Sequence, residues 1–378
     1  MKTENAPFTQ RPGNALLCCL LISTVVTACD DSQSSKTSQG LGPVTAEGPF
    51  GAGTMMGTYM RADGETITTQ VWFPTSDSMG ETVKYEGILD GQSLLDAVPN
   101  CDEPRPVVVF SHGNGGVRWQ SAFNMHFLAT HGFVVVAMDH IYNTFRDLDR
   151  EKFLEHVLQR PRDVRDTFDW LISKNLAPDH ALSGCIQPDA GYAVMGHSFG
   201  GYTSFMSAGA TVDTAVLATA CDDGEEGACQ LVENWAAQSD APLIDISDDR
   251  VWAAVTWSPW HAAGILSDGM ADVRVPSLTI TGTLDELTPL TQVKGLVDAA
   301  TQADYVHLID AGHFGFAPFS CMLLSGDGCG DGYMAIERLK DLTNQMVTSF
   351  LAAKLGWESA EEQYKAIDGD DIEWQSPR

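Results

Sequence analysis

Tyr192-Ala193-Val194-Met195-Gly196-His197-Ser198-Phe199-Gly200-Gly201 is the stretch on which the fold turns. It reads as an apolar strand that breaks at Gly196 and restarts as a helix after Ser198. The Gly-x-Ser-x-Gly spacing has a steric cause. A serine on a sharp strand-to-helix turn needs glycine two residues before and two after it, so that neighbouring backbone can pass. A helix starting at Phe199 aims free N–H groups and a partial positive charge at the place where an oxyanion would form. Ser198 is the candidate nucleophile.

Working outward, Val107-Val108-Val109-Phe110-Ser111 has the pattern of a buried strand and runs into His112-Gly113-Asn114-Gly115-Gly116, whose glycines can present backbone N–H groups to a ligand. Downstream, Ser277 to Thr281 reads as a strand ending in Gly282-Thr283-Leu284-Asp285. Tyr305 to Ile309 reads as another, ending in Asp310-Ala311-Gly312-His313. Ser198, Asp285 and His313 thus each fall just past the carboxyl end of a strand. In a parallel sheet those ends converge on one edge, where such sheets build their sites.

The chain has 378 residues, 44% of them hydrophobic, enough for one large α/β core. Its net charge of −29 argues against a nucleic-acid partner, because affinity for phosphate backbones comes largely from Lys and Arg. No His-Glu-x-x-His or clustered His/carboxylate motif points to a metal, and no cofactor is implied.

Lys2 and Arg11 precede an apolar run from Ala15 to Ala28, which predicts a signal peptide over residues 1–28. The run ends in Val26-Thr27-Ala28-Cys29, which resembles the bacterial lipobox. That resemblance implies a lipid on Cys29, a membrane as partner and a place in the cell envelope, the alternative being plain secretion. Residues 29–50 are expected to be a flexible tether, Ser-rich from Asp30 to Gly42. Of nine cysteines, Cys18 and Cys19 leave with the signal and Cys29 takes lipid. The remaining Cys101, Cys185, Cys221, Cys229, Cys321 and Cys329 suggest up to three disulfides in an exported protein. Cys221 with Cys229, and Cys321 with Cys329, read as local clasps around short loops. Neither pair has zinc-site spacing.

The folded domain is expected over 51–357. It opens on a hairpin, Gly57 to Arg61 and Thr66 to Phe73, that caps one edge of the sheet. A loop-rich stretch then leads to Pro106. Val117 to Thr130 has helical spacing, Phe133 to Met138 is a strand, and Asp163 to Lys174 is a helix introduced by Pro161. Residues 211–248 hold nine carboxylates and no Lys or Arg, and read as an inserted cap. A strand from Val251 to Trp257 leads to Ser258-Pro259-Trp260-His261. A helix from about Ala335 to Lys354 closes the domain, and 358–378 reads as a loosely held polar tail. Alternating strands and helices argue for a parallel sheet covered on both faces.

From Val107 to Lys354 the order of elements resembles the α/β-hydrolase superfamily. Ser111-His112-Gly113, Gly196-His197-Ser198-Phe199-Gly200-Gly201, Ala311-Gly312-His313-Phe314 and the following Cys321 resemble bacterial relatives of platelet-activating-factor acetylhydrolase often labelled dienelactone-hydrolase-like. True dienelactone hydrolases use a cysteine where this chain has Ser198. Ser258-Pro259-Trp260-His261 resembles the segment of cutinases and polyester hydrolases that sets a tryptophan beside the ester. Those enzymes carry Met after the nucleophile and lack the His112-Gly113 turn.

The expected chemistry is cleavage of a small or polymeric carboxylic ester, with Ser198 as nucleophile, His313 as base and Asp285 as the orienting acid. Peptidases and amidases share this triad, and a non-catalytic surface-binding lipoprotein is the reading of another class. Asp285 is preferred because it follows the strand that the superfamily pattern requires. Asp310 reads as a turn residue and Glu286 as the fallback. Phe199 supplies one oxyanion N–H, and the superfamily resemblance implies Asn114 for the other. Gly113, Trp260 and His261 are expected to line the substrate site, while His112 and His197 position backbone. In the resembled fold the strands after Cys101 and Cys185 are neighbours, which implies a disulfide between them.

Overall fold

The computed structural model describes residues 40–224, 226–260 and 269–376. The leader, Cys29, most of the tether and His261 lie outside the described residues.

Thirteen strands are described: β1 (Gly51–Met60), β2 (Thr66–Thr75), β3 (Thr82–Tyr85), β4 (Leu89–Leu95), β5 (Val107–Ser111), β6 (Val134–Met138), β7 (Tyr192–His197), β8 (Thr211–Asp213), β9 (Leu243–Asp245), β10 (Val251–Trp257), β11 (Ser277–Gly282), β12 (Ala303–Leu308) and β13 (Ile372–Trp374). The helices are α1 (Ala122–Thr130), α2 (Phe153–Asn175), α3 (Phe199–Ser207), α4 (Thr214–Asp222), α5 (Glu226–Ala236), α6 (Leu290–Ala299), α7 (Ile336–Lys354) and α8 (Ala360–Ala366).

Eleven of these strands form one sheet in the order β13-β12-β11-β10-β7-β5-β6-β2-β1-β4-β3. From β6 to β12 every pairing is parallel. This is the α/β-hydrolase fold. The central strands are buried on both faces, so β5, β6, β7 and β11 read as continuous apolar or small-residue runs. One large apolar cluster holds Phe110, Trp257 and Phe350, a second holds Val109, Phe168 and Tyr202, and a small third holds Val293, Val297 and Tyr305.

The hairpin β1–β2 forms as expected, but it does not end the sheet. The stretch expected to be loop-rich supplies β3 and β4, which extend the sheet beyond β1. α2 begins at Phe153, not at Pro161, and carries Pro161 inside it. A proline there cannot donate to the carbonyl four residues back, that of Val157. The buried Tyr202 hydroxyl donates to that carbonyl instead, at 3.4 Å.

The insertion 211–248 forms β8, α4, α5 and β9, closed at its base by the β8–β9 pairing. α5 buries Ala228, Leu231 and Trp235, a helical i, i+3, i+7 face, and these join the cluster that includes Leu158 and Phe168 of α2.

The folded unit also extends past both expected ends. Leu41 and Val44 are buried, and the Leu41 N–H donates to the Glu358 carbonyl at 3.0 Å. The segment after 357 is no loose tail: Ala360, Tyr364 and Ile367 are buried at helical spacing, and β13 pairs antiparallel with β12.

Candidate active site

Cys101 and Cys185 are joined, as are Cys221 with Cys229 and Cys321 with Cys329. The first bond fits the register just above it. β5 and β7 are parallel from Val107 and Tyr192, and the Arg105 N–H donates to the Cys185 carbonyl at 2.7 Å. The carboxyl ends of β5, β7, β11 and β12, after which Gly113, Ser198, Asp285 and His313 follow, lie along one edge of the sheet, with β10 between β7 and β11.

Ser198 sits at the end of β7 with φ 56° and ψ −119°, a positive-φ conformation that a serine holds only where its surroundings impose it. The two flanking glycines are what make that turn possible. A Cβ on Gly196 would overlap the Gly200 carbonyl, and one on Gly200 would overlap the Ser111 carbonyl. Ser198 Oγ makes no hydrogen bond among the described residues and faces a cavity of about 440 Å³, which His313 also lines.

His313 donates from Nδ1 to both Asp285 oxygens, at 2.9 and 3.1 Å. A carboxylate only accepts, so this contact assigns the proton to Nδ1 and leaves Nε2 with its lone pair. Thr288 fixes the carboxylate in turn: its N–H donates to Oδ1 at 2.7 Å and its hydroxyl to Oδ2 at 2.8 Å. Burial alone would push the Asp285 carboxyl up, but the hydrogen bonds it accepts, that from His313 foremost, hold it below the ordinary carboxylate range. The exposed Glu286 and the turn residue Asp310, at φ 60°, make no such contact with the His313 ring.

The Phe199 and Asn114 backbone N–H groups have no partner among the described residues, and both residues line the cavity with Gly113 and Trp260. Trp260 is half-buried, edge-on to Phe153, Phe199 and Tyr202 at 5.4, 5.1 and 5.5 Å. The Trp260 backbone N–H donates to the Ser198 carbonyl at 2.9 Å, so the segment after β10 is stitched to the turn that carries the serine. No residue of 211–248 lines this cavity among the described residues.

His197 and His112 hold backbone, as expected. The Gly113 N–H donates to Gln120 Oε1 at 3.3 Å, Gln120 Nε2 donates to His197 Nδ1 at 3.2 Å, and His197 Nε2 donates to the His313 carbonyl at 3.1 Å. One chain of bonds therefore joins the glycine turn, the serine turn and the histidine loop. Burial, with the neighbouring His313, holds His197 neutral, well below its usual range. His112 Nδ1 donates to the Gly113 carbonyl at 2.7 Å, and Arg160 donates to the His112 carbonyl.

Sequence reading missed Gln120, Thr288 and a second Ser-His-Asp chain. The Ser111 hydroxyl donates to His140 Nε2 at 2.9 Å, and His140 Nδ1 donates to Asp163 Oδ2 at 2.8 Å. All three residues are fully buried and none lines the cavity, so this chain holds β5, β6 and α2 together. The spacing of Thr288 was a usable signal, since an acid accepting the backbone N–H three residues on is a capping geometry. Gln120 and Asp163 leave no such local trace.

These buried imidazoles make stability depend on pH. Burial holds His112 and His140 well below the usual range, and burial with the Arg160 charge takes His156 from 6.5 to about 4. Below about pH 6.5 the unfolded chain binds protons that the folded chain refuses, so stability falls as pH falls, by about 1.4 kcal/mol per pH unit for each such histidine. Asp285, held low, adds to the loss at lower pH. Asp163 and Asp139, pushed up by burial, oppose it. Urea unfolding should give a lower midpoint at about pH 5 than at about pH 7, by several kcal/mol of stability. A flat profile would mean that these rings are protonated equally in both states.

Among the described residues no group of three or more His, Cys, Asp or Glu side chains is arranged to hold a metal ion, and no helix is long and apolar enough to cross a membrane. Residues 79–221 match the family model of chlorophyllase, an α/β-hydrolase-like esterase family. The match spans less than half of the chain. It includes the His112 turn and Ser198, and stops before Asp285 and His313. A search of the curated proteins finds no match.

Proposed function

We propose that this chain is a serine hydrolase of carboxylic esters. His313 Nε2 takes the proton from Ser198 Oγ as that oxygen attacks the ester carbonyl. The carbonyl oxygen, now carrying the negative charge, is held by the N–H groups of Phe199 and Asn114. His313 then gives its proton to the leaving alcohol as the C–O bond breaks, and an acyl group remains on Ser198. Water then attacks the acyl carbon as His313 takes its proton, and when the Oγ–acyl bond breaks His313 returns that proton to Ser198 Oγ, freeing the acid. Asp285 keeps Nδ1 protonated throughout and stabilises the imidazolium. The observation that carries this reading is Ser198 Oγ, without a hydrogen bond among the described residues, on one cavity wall with His313, whose Nδ1 is pinned from behind by Asp285. Its test is turnover of a short-chain activated ester by the purified full-length chain and by Ser198→Ala. The three disulfides fit an exported protein.

Within this reading Trp260 sets an apolar acyl site, supported by its place on the cavity wall against Phe153 and Phe199. Ring contacts are worth roughly 0.5 to 1.5 kcal/mol each beyond burial, so Trp260→Ala should lower kcat/KM for an aromatic acyl ester by about 10-fold more than for an acetyl ester. Equal losses on the two esters, together with a lower melting temperature, would reduce Trp260 to packing.

A further inference from the structure

The eight-residue separation between Cys321 and Cys329 closes a small ring, and Asp327 sits inside it. Asp327 Oδ1 accepts the backbone N–H of His313 at 2.9 Å and that of Glu286, the residue after Asp285, at 3.2 Å. The Asp327 carbonyl accepts the Phe314 N–H at 2.8 Å. Asp327 is itself held at φ 45° by a hydrogen bond from its N–H to the Tyr333 hydroxyl at 2.8 Å and by the Gly326–Cys329 backbone pair. The loops after β11 and β12 are also joined lower down, where the Thr283 and Leu284 N–H groups donate to Leu308 and Ala311. Those bonds lie closer to the sheet. The Asp327 carboxylate reaches further out, one oxygen accepting from both loops at His313 and at Glu286, the level of the two residues whose side chains meet.

We infer that Asp327 is a positioning residue for ester hydrolysis, in which one carboxylate oxygen, held out by the Cys321–Cys329 ring, sets the distance between the loop that carries Asp285 and the loop that carries His313. The inference rests on the serine-hydrolase reading. Its physical basis is the steep dependence of catalysis on geometry: a displacement of about 1 Å in a reacting group can cost on the order of 100-fold in rate. The requirement is for an acceptor oxygen and not for a charge, since both donors are backbone amides.

The test is steady-state kinetics of the full-length chain on a short-chain activated ester, for wild type, Asp327→Ala, Asp327→Asn and Ser198→Ala, with melting temperatures. Asp327→Ala is expected to lower kcat by about 10- to 100-fold with KM within about three-fold of wild type, because binding surfaces are untouched while the reacting geometry is loosened. Asp327→Asn keeps a carbonyl oxygen at the same place and should recover most of kcat. Wild-type kcat in Asp327→Ala, equal losses in the Ala and Asn variants, or a loss that merely follows a collapse of the melting temperature would each overturn the inference. If Ser198→Ala is inactive while Asp327→Ala is normal, only the positioning role falls. Full turnover in Ser198→Ala removes both.

Discussion

Ser198→Ala should lower kcat on a short-chain activated ester by about a million-fold while leaving the fold intact. The size follows from what is removed. Without Oγ no acyl-enzyme forms, and what remains is the catalysis over water that a preorganised oxyanion site and binding supply, roughly 1,000- to 10,000-fold. The fold is expected to survive because Ser198 Oγ has no hydrogen bond among the described residues, while the backbone of Ser198 is fixed by bonds that alanine also makes. Its N–H donates to Trp257, and its carbonyl accepts from Gly201, Tyr202 and Trp260. KM should change little. A variant that turns over at the wild-type rate would remove the functional reading, whatever the sequence resembles.

Asp285→Asn should cost on the order of 10,000-fold in kcat. The Asp285 carboxylate receives three kinds of donor at once: His313 Nδ1, the Thr288 hydroxyl and the Thr288 N–H. An amide offers one oxygen where two are used, and its NH2 must face a donor. The imidazole can relieve that clash by moving its proton to Nε2, the position that must be bare to accept from Ser198. The side chain is buried, so water is not there to repair the mismatch. Glu286→Gln is the control: an exposed neighbour should give kcat within about two-fold of wild type, whereas a larger loss there than in Asp285→Asn would transfer the acid role to Glu286.

The parts of this architecture legible in the sequence are those where one physical constraint dominates. β5, β7 and β10 are largely buried on both faces, so their residues run mostly apolar, and the carboxyl ends of the parallel strands locate Ser198, Asp285 and His313. Thr82 to Leu95 was illegible because β3 and β4 are short and largely polar, and their tight turn uses Glu86 at φ 52° before Gly87. Pro161 was read as a helix start because local rules see only its missing N–H. The Tyr202 hydroxyl that relieves the problem comes from a distant part of the chain. The segment after 357 was misread for a different reason: its many charges hid a helical spacing of Ala360, Tyr364 and Ile367. In the site, Thr288 is local to Asp285 and could have been found. Gln120 and Asp327 act across the fold, through contacts that sequence spacing does not encode.

The sheet's two margins bear on how the molecule behaves in a crowd of its own copies. A wide sheet leaves a row of unpaired N–H and C=O groups at each side, a template on which another chain can build. Here one side ends in a strand of four residues, β3, with Lys84 paired to Asp90 of β4 at 3.0 Å, and the other in a strand of three, β13. Each gives a neighbour too little ladder to grip, and the first adds charge that would have to be stripped of water. β13 thereby shields β12, whose buried Tyr305, Val306 and Leu308 would otherwise stand at an open margin. By covering that margin, β13 leaves the strand that leads to His313 with both of its sides paired.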